Sequence, residues 1–291
     1  MSQILTAVES GPAQGAARLC PPLIDAHCHL EAGYFGAELP QVMQRARAVG
    51  VEAFVAVGAS GVLEGAHEAC ALSQATPDVF ASIGIHPCEV HQASQQDMDE
   101  LAQMLRRPKV VALGEVGLDY YHDASTKGVQ QQRFKEFVHM AQAAAVPLML
   151  HIRDAHEDCL ALLDACGLPP AGAMIHCFTA GPDVAQAYLD RGLYLSIPGV
   201  VTFKNARELQ AAVPLIPADR LLVETDSPYL APVPKRGKQN EPAFVRHTAQ
   251  AVADLRQEPY GPLAQRCADN ARRFFGLGDR QIRPRFCSSD D

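Results

Sequence analysis

The chain has no tryptophan, few charged residues and no long apolar run. Its 291 residues are 48% hydrophobic and 20% charged, a composition that excludes disordered and collagen-like classes. No apolar stretch reaches the ~18 residues that a membrane span requires. The first basic residue is Arg18, so the N-terminus lacks the charged start of a secretory signal. We therefore expect neither a membrane anchor nor export.

The cysteine pattern and the net charge exclude further classes. The nine cysteines are an odd number and form no Cys-x-x-Cys pair, so a reducing, cytoplasmic location fits best. The net charge of -8 argues against a surface that coats nucleic acid, because phosphate contacts need clustered Lys and Arg. A phosphate substrate at one metal-charged pocket is still compatible with this charge.

Short runs rich in Val, Ile and Leu alternate along the chain with longer helix-like segments. Eight such runs begin at residues 23, 51, 79, 110, 146, 171, 193 and 220. This alternation predicts an α/β fold, a single-domain (β/α)8 TIM barrel, with two closing helices after the eighth strand. We expect the barrel over residues 22–277, a flexible leader at 1–21 and a polar tail at 278–291.

Histidines and carboxylates gather where the predicted strands end, which is where barrels of this kind form their active sites. Because side chains alternate along a strand, His27 and His29 point to one side and Cys28 to the other. His151 and Arg153 repeat this spacing, which would place a ligand and a cation in one pocket. The ligand-type residues at strand ends are His27, His29, His86, Glu115, His151, His176 and Asp226.

A metal centre explains this set. A lone histidine at a strand end is more often structural, but four imidazoles and two carboxylates inside one barrel must be paired or coordinate metal. Six ligands exceed the four that one zinc ion prefers, so the count favours two divalent ions that activate a water for hydrolysis. Asp226 could also orient that water and accept its proton. The set divides into two groups that share Glu115. The first group contains His27, His29 and Asp226, and the second contains His151 and His176.

Several motifs together point to a known family. They are DAHCHL, GIHP, GEVGLDYY, HIRDA, IHCFTAG, SIPGVVTFKNA, ETDSPYLAP and RGKQNEP, between Leu23 and Phe275. In this order they resemble the TatD-type metal-dependent deoxyribonucleases of the amidohydrolase-like barrel superfamily. The resemblance implies hydrolysis of DNA phosphodiesters, as a 3′ to 5′ exonuclease on single-stranded ends, with RNA as a second substrate. It also implies metal binding by the six ligands, a place near the substrate for His86, and phosphate binding by Arg153.

Two other functions stay open on the sequence. Another barrel metallohydrolase, acting on lactones, amides or phosphotriesters, often has a bridging carboxylated Lys on the fourth strand, where this chain has Glu115. An inactive nucleic-acid-binding protein would be expected to lack a ligand, and none is missing. We therefore expect a monomeric enzyme with Asp226 and Glu115 as catalytic groups and DNA as substrate. The physiological ion stays open among Mg²⁺, Mn²⁺ and Zn²⁺.

Overall fold

Eight parallel strands pair in chain order in the computed structural model, which describes residues 20–278. They are β1 (Leu23–Cys28), β2 (Val51–Gly58), β3 (Val79–Ile83), β4 (Val110–Asp119), β5 (Leu148–Arg153), β6 (Ala173–Ile175), β7 (Tyr194–Ile197) and β8 (Leu221–Val223). The segment after β8 returns to β1, where Ser227 forms a parallel bridge with Cys28. The amide of Asp226 also donates to the carbonyl oxygen of His27 at 2.9 Å. The predicted (β/α)8 barrel is confirmed.

Helices follow the strands and cover the outside of the barrel. They are α1 (Ala32–Phe35), α2 (Leu39–Ala48), α3 (Glu64–Ala75), α4 (Gln95–Met104), α5 (Lys127–Ala144), α6 (His156–Cys166), α7 (Pro182–Leu189), α8 (Arg207–Ala212), α9 (Val245–Arg256) and α10 (Tyr260–Phe275). Local sequence explains several ends: Ser94 and Asp97 form a capping box before α4. Gly276 adopts a left-handed conformation and ends α10. The two helices expected after the eighth strand are α9 and α10.

The apolar core has an outer layer between strands and helices and an inner layer that fills the barrel. Phe274 and Phe275 of α10 belong to the inner layer. Asn270 on the same helix donates to the carbonyl oxygens of Ala218 and Leu221, at 2.8 and 2.9 Å, where β8 begins. Helix α10 therefore covers the amino-terminal end of the barrel and leaves the carboxyl end available for a site.

Two strands change which side chains face the barrel interior. In β1, Ala26 belongs to the inner layer, so strict alternation would also turn Cys28 inward. Cys28 instead belongs to the outer layer, and the register with β2 shifts between Asp25 and Cys28. Strand β4 has a similar shift between Leu113 and Val116. Such irregularities redirect the side chains that follow them.

The predicted domain limits fall at the edges of the described chain. The leader at 1–21 and the tail at 278–291 lie outside the described residues except for 20, 21 and 278. The limits of 22–277 for the barrel domain therefore stay a prediction. No helix between residues 20 and 278 is long and apolar enough to cross a membrane.

Candidate metal centre

The carboxyl end of the barrel brings all eight residues selected from the sequence into one region. A cavity of about 740 Å³ opens there, and its lining includes seven of them. His27 lies beneath it and is fully buried. The seven lining residues are His29, His86, Glu115, His151, Arg153, His176 and Asp226.

One group of donor atoms has the spacing of a metal site. It consists of Nε2 of His27, Nε2 of His29, Oδ1 of Asp226 and Oε2 of Glu115. Five separations among these atoms run from 3.3 to 3.8 Å. Ligands at about 2.0–2.2 Å from a tetrahedral ion lie roughly 3.3–3.6 Å apart. The nitrogen and carboxylate donors therefore fit a divalent ion such as Zn²⁺ or Mn²⁺.

A second group surrounds the other oxygen of the same carboxylate. Glu115 Oε1 lies 2.7 Å from Nδ1 of His151 and 2.7 Å from Nε2 of His176. The two imidazole nitrogens are 3.2 Å apart. His86 Nε2 reaches the same oxygen at 3.7 Å. Glu115 thus faces a different group of histidines with each of its two oxygens. In the second group, the contacts among Glu115, His151 and His176 are at hydrogen-bonding distance, whereas His86 is farther away.

Electrostatics keep the central carboxylate charged. Burial disfavours the carboxylate form, but the imidazoles of His176 and His151 outweigh it and hold the pKa of Glu115 well below its usual range. Burial and the stacked ring of His176, 3.9 Å away between centroids, hold the pKa of His27 well below its usual range. Burial also lowers the pKa of His86, to about 4. Burial disfavours the charged form of His29, His151 and His176, but the facing carboxylates outweigh it and raise the pKa of each ring. Metal binding would therefore displace protons from these rings, while Glu115 is already ionised.

Two carboxylates that sequence reasoning missed hold the histidines of the second group. Asp119 Oδ2, at the end of β4, lies 3.0 Å from Nε2 of His151. Glu224, just after β8, is fully buried and its Oε1 lies 3.4 Å from Nδ1 of His176. Carboxylates behind metal-binding histidines orient the rings and raise their basicity. The sequence carried a signal for both, since Asp119 follows Glu115 by four residues and Glu224 precedes Asp226 by two, and even spacings place side chains on one side of an extended chain.

A third missed carboxylate joins the first and last strands. Asp25 is fully buried and accepts hydrogen bonds from the backbone amide of Thr225 at 2.8 Å and from its hydroxyl at 2.5 Å. Burial raises the pKa of Asp25 to about 8. These bonds hold the segment that carries His27 against the segment that carries Asp226, so they position two residues of the first group.

The backbone at the site adopts conformations that most side chains avoid. Asp154, Cys177 and Asp226 have φ angles of 53°, 45° and 54°, in the left-handed region. At Gly117 a Cβ would collide with the carbonyl oxygen of His151 on the neighbouring strand, so only glycine allows β4 and β5 to approach there. Strain of this kind persists where the surrounding structure holds it, and it is common at functional sites.

Arg153 lies at the wall of the cavity. Its guanidinium stacks on the ring of Tyr121 at 4.0 Å and forms no salt bridge with any other described residue. It is also the one Lys or Arg in the cavity lining among the described residues. Its charge is therefore available to an anionic ligand.

A parallel (β/α)8 barrel with clustered histidines and carboxylates at its carboxyl end defines the class of barrel metal-dependent hydrolases. The family model for TatD related DNase matches residues 24–276, and the chain belongs to this family. The predicted family resemblance is confirmed.

Named relatives agree with this assignment. The chain is 37% identical over 255 residues to the uncharacterized metal-dependent hydrolase YabD of Bacillus subtilis, covering 88% of this chain and 99% of that protein. It is 38% identical over 261 residues to the 3′-5′ ssDNA/RNA exonuclease TatD of Edwardsiella piscicida, covering 88% and 100%. The solved structure of the TatD homolog YjjV from Escherichia coli has a TM-score of 0.83 at 26% identity, with 88% and 98% coverage.

Proposed function

We propose that this hydrolase cleaves phosphodiester bonds in DNA as a 3′ to 5′ exonuclease on single-stranded ends, with RNA as a second substrate. The observation that carries the proposal is the position of Glu115, whose two oxygens face His27 and His29 on one side and His151 and His176 on the other. A carboxylate placed in this way could be a ligand of two metal ions, an arrangement found in phosphatases and nucleases. A relative named as an ssDNA/RNA exonuclease supports the choice of substrate.

The site residues have distinct roles in this proposal. The first group would hold one divalent ion, and His151, His176 and Glu115 would hold a second. Bound divalent metal supplies Lewis-acid charge and lowers the pKa of water. Asp226, which lines the cavity, orients the attacking water and accepts its proton. Arg153 binds a phosphate of the substrate, and His86 faces the same cavity.

The test compares variants of the two carboxylate ligands, Glu115 and Asp226, with the wild-type protein. Glu115→Ala and Asp226→Ala should each reduce kcat/KM on 3′-labelled single-stranded DNA by about three orders of magnitude or more, since each removes a ligand of the metal ions whose charge would stabilise the reacting phosphate. The assay is run in Mg²⁺, Mn²⁺ and Zn²⁺, on DNA and on RNA, after circular dichroism has shown that the fold is kept.

A control carboxylate lies away from the site. Glu100→Ala on α4, where Glu100 is half-exposed and pairs with His67, should leave activity unchanged. Full activity of Glu115→Ala with metal present would exclude the proposed role of Glu115. Wild-type turnover of lactones or phosphotriesters, with none of nucleic acid, would favour the other class of barrel hydrolase.

A further inference from the structure

Exposed apolar side chains concentrate beside the candidate metal centre. Among residues 20–278, six large hydrophobic side chains are at least 37% exposed. Four of them, Tyr121, Tyr229, Leu230 and Val233, lie in the loops after β4 and β8, at the carboxyl end of the barrel. Tyr229 and Leu230 also line the cavity itself. Exposed apolar surface at the edge of a polar cavity is typical of a ligand contact.

Tyr229 and Leu230, here termed the 229–230 platform, are held rigidly. The amide of Tyr229 donates to the carbonyl oxygen of Asp226 at 2.9 Å. The buried side-chain amide of Asn240 donates to the carbonyl oxygens of Tyr229 and Thr225, at 2.5 and 2.8 Å. Leu230 is held at a φ angle of 58°, which a branched side chain rarely adopts. The turn therefore presents two apolar side chains to solvent, on a backbone that hydrogen bonds hold at Tyr229 and that has a strained conformation at Leu230.

We propose that the 229–230 platform stacks against an unpaired nucleobase next to the phosphodiester bond that is cut. This inference rests on the nuclease function proposed above and names how the substrate is held. The platform begins three residues after Asp226, so an apolar, flat group must lie close to the reacting phosphate. A single-stranded nucleotide joins such a group to a phosphate within one residue, and the cationic Arg153 lines the same cavity.

The platform has little means of reading the identity of a base. The hydroxyl of Tyr229 is already engaged by the hydroxyl of Tyr34 at 2.8 Å. The two tyrosine rings and the ring of His29 pack edge to face, with centroids 5.9–6.1 Å apart. Leu230 offers no hydrogen bond. Stacking without base-edge contacts accepts any sequence and requires that the base is not paired, so it selects single-stranded ends.

The experiment measures binding of an oligonucleotide by the metal-loaded protein. The probe is single-stranded DNA with 2-aminopurine in its last two positions and nuclease-resistant phosphorothioate linkages at that end. We expect binding to quench 2-aminopurine fluorescence through stacking. Tyr229→Ala should weaken binding by about 5- to 150-fold, the range of one base stacked on an aromatic ring, and should lose most of the quenching. Leu230→Ala removes an apolar contact but no ring, so it should weaken binding by a smaller factor. Tyr229→Phe keeps the ring and should bind within about 2-fold of wild type.

An abasic probe separates stacking from a general structural effect. When the last two nucleotides of the probe are abasic, the wild-type protein should bind it as weakly as Tyr229→Ala binds the normal probe. Tyr229→Ala should bind the abasic probe no more weakly than it binds the normal probe. Leu215→Ala is the matched control, since Leu215 is 57% exposed and precedes β8 at the opposite end of the barrel. Equal losses of Tyr229→Ala on both probes, or no loss on either, would overturn the platform.

The same proteins distinguish the two proposals. Wild-type protein that binds and quenches the probe but cuts no unmodified DNA with any of the three metals would refute the nuclease function and leave the 229–230 platform as a surface that binds unpaired bases. Wild-type protein that cuts unmodified DNA, together with variants at 229 and 230 that bind like wild type, would refute the platform alone.

Discussion

At the scale of single residues, the histidines of the second group depend on acids placed behind them. His151 lies between Glu115 Oε1 at 2.7 Å and Asp119 Oδ2 at 3.0 Å, one acid on each ring nitrogen. Asp119 also accepts from Nδ1 of His122 at 2.7 Å. Contacts on both nitrogens leave the ring of His151 a single orientation, which a metal ligand requires.

Asp119→Asn should weaken metal binding by about 10- to 100-fold, because the amide lacks the charge that orients His151 and raises its basicity. The amide oxygen can still accept from the backbone at Tyr121 and His122, as Oδ1 of Asp119 does at 3.0 and 2.9 Å, so the turn should persist. Isothermal titration of metal into the chelator-treated protein measures the effect. His122→Asn is the control, and an equal loss there would show that Asp119 acts through the turn instead.

At the scale of elements, one lysine holds the end of α3 and the loop that leads into β3. The ammonium of Lys109 donates to the carbonyl oxygens of Ser73 and Thr76, the latter at 2.6 Å, and to that of Pro77 at 3.2 Å. Its own backbone has a φ angle of 65°. A charged donor thus satisfies carbonyl groups at a helix end, and Lys109 adopts an unfavourable left-handed backbone conformation at the same position.

Lys109→Ala should lower the free energy of unfolding by about 1.5–3 kcal/mol, because partly buried carbonyl groups lose a charged donor. Lys109→Gly should be less destabilising by up to about 1 kcal/mol, since glycine adopts a positive φ without strain. Urea denaturation followed by circular dichroism measures both. Lys135→Ala, at an exposed position of α5, is the control. A glycine variant less stable than the alanine variant would contradict the role of backbone strain.

At the scale of the whole molecule, buried donors at the carboxyl end of the barrel should couple metal binding to stability. Metal that binds the folded chain at about 100 times its Kd should add about 2.7 kcal/mol and raise Tm by roughly 5–10 °C. Thermal scans with and without each ion measure the shift. Glu115→Gln should show a much smaller shift because both groups lose a charged oxygen. An equal shift in this variant would place the bound ion elsewhere.

The net charge predicts a weak dependence of DNA binding on salt. One arginine and the metal charge neutralise about two to three phosphates, so binding should fall less than about 20-fold between 50 and 200 mM salt. Arg153→Gln should reduce the slope of log K against log salt by about 0.7. Arg106→Gln, on the exposed turn after α4, is the control and should leave this slope unchanged. A slope unchanged by Arg153→Gln would show that Arg153 contacts no phosphate.

Much of this architecture could be predicted from the chain. The eight apolar runs became the eight strands, because a strand buried on both faces must be apolar along its length. Alternation also predicted that His27 and His29 share a side, and both reach Glu115 and Asp226. Monomeric state and cytoplasmic location stay predictions.

The sequence by itself determined the barrel, the family and the chemical identity of the donors, since composition, periodicity and motifs are properties of the chain. Only the tertiary structure decided which donors meet. In β5, β6 and β8 simple alternation places the ligands correctly, because an inner-layer residue precedes each ligand by an even number of residues. Met149 and Met174 lie two residues before His151 and His176, and Leu222 lies four before Asp226.

In β1 and β4 the same rule would fail, because a register shift between Asp25 and Cys28, and another between Leu113 and Val116, changes which side chains face inward. Such shifts arise from pairing with a neighbouring strand, which no local pattern contains. Alternation places Asp119 and Glu224 on the side of the ligands, but which histidine each acid contacts depends on pairing between segments far apart in the chain.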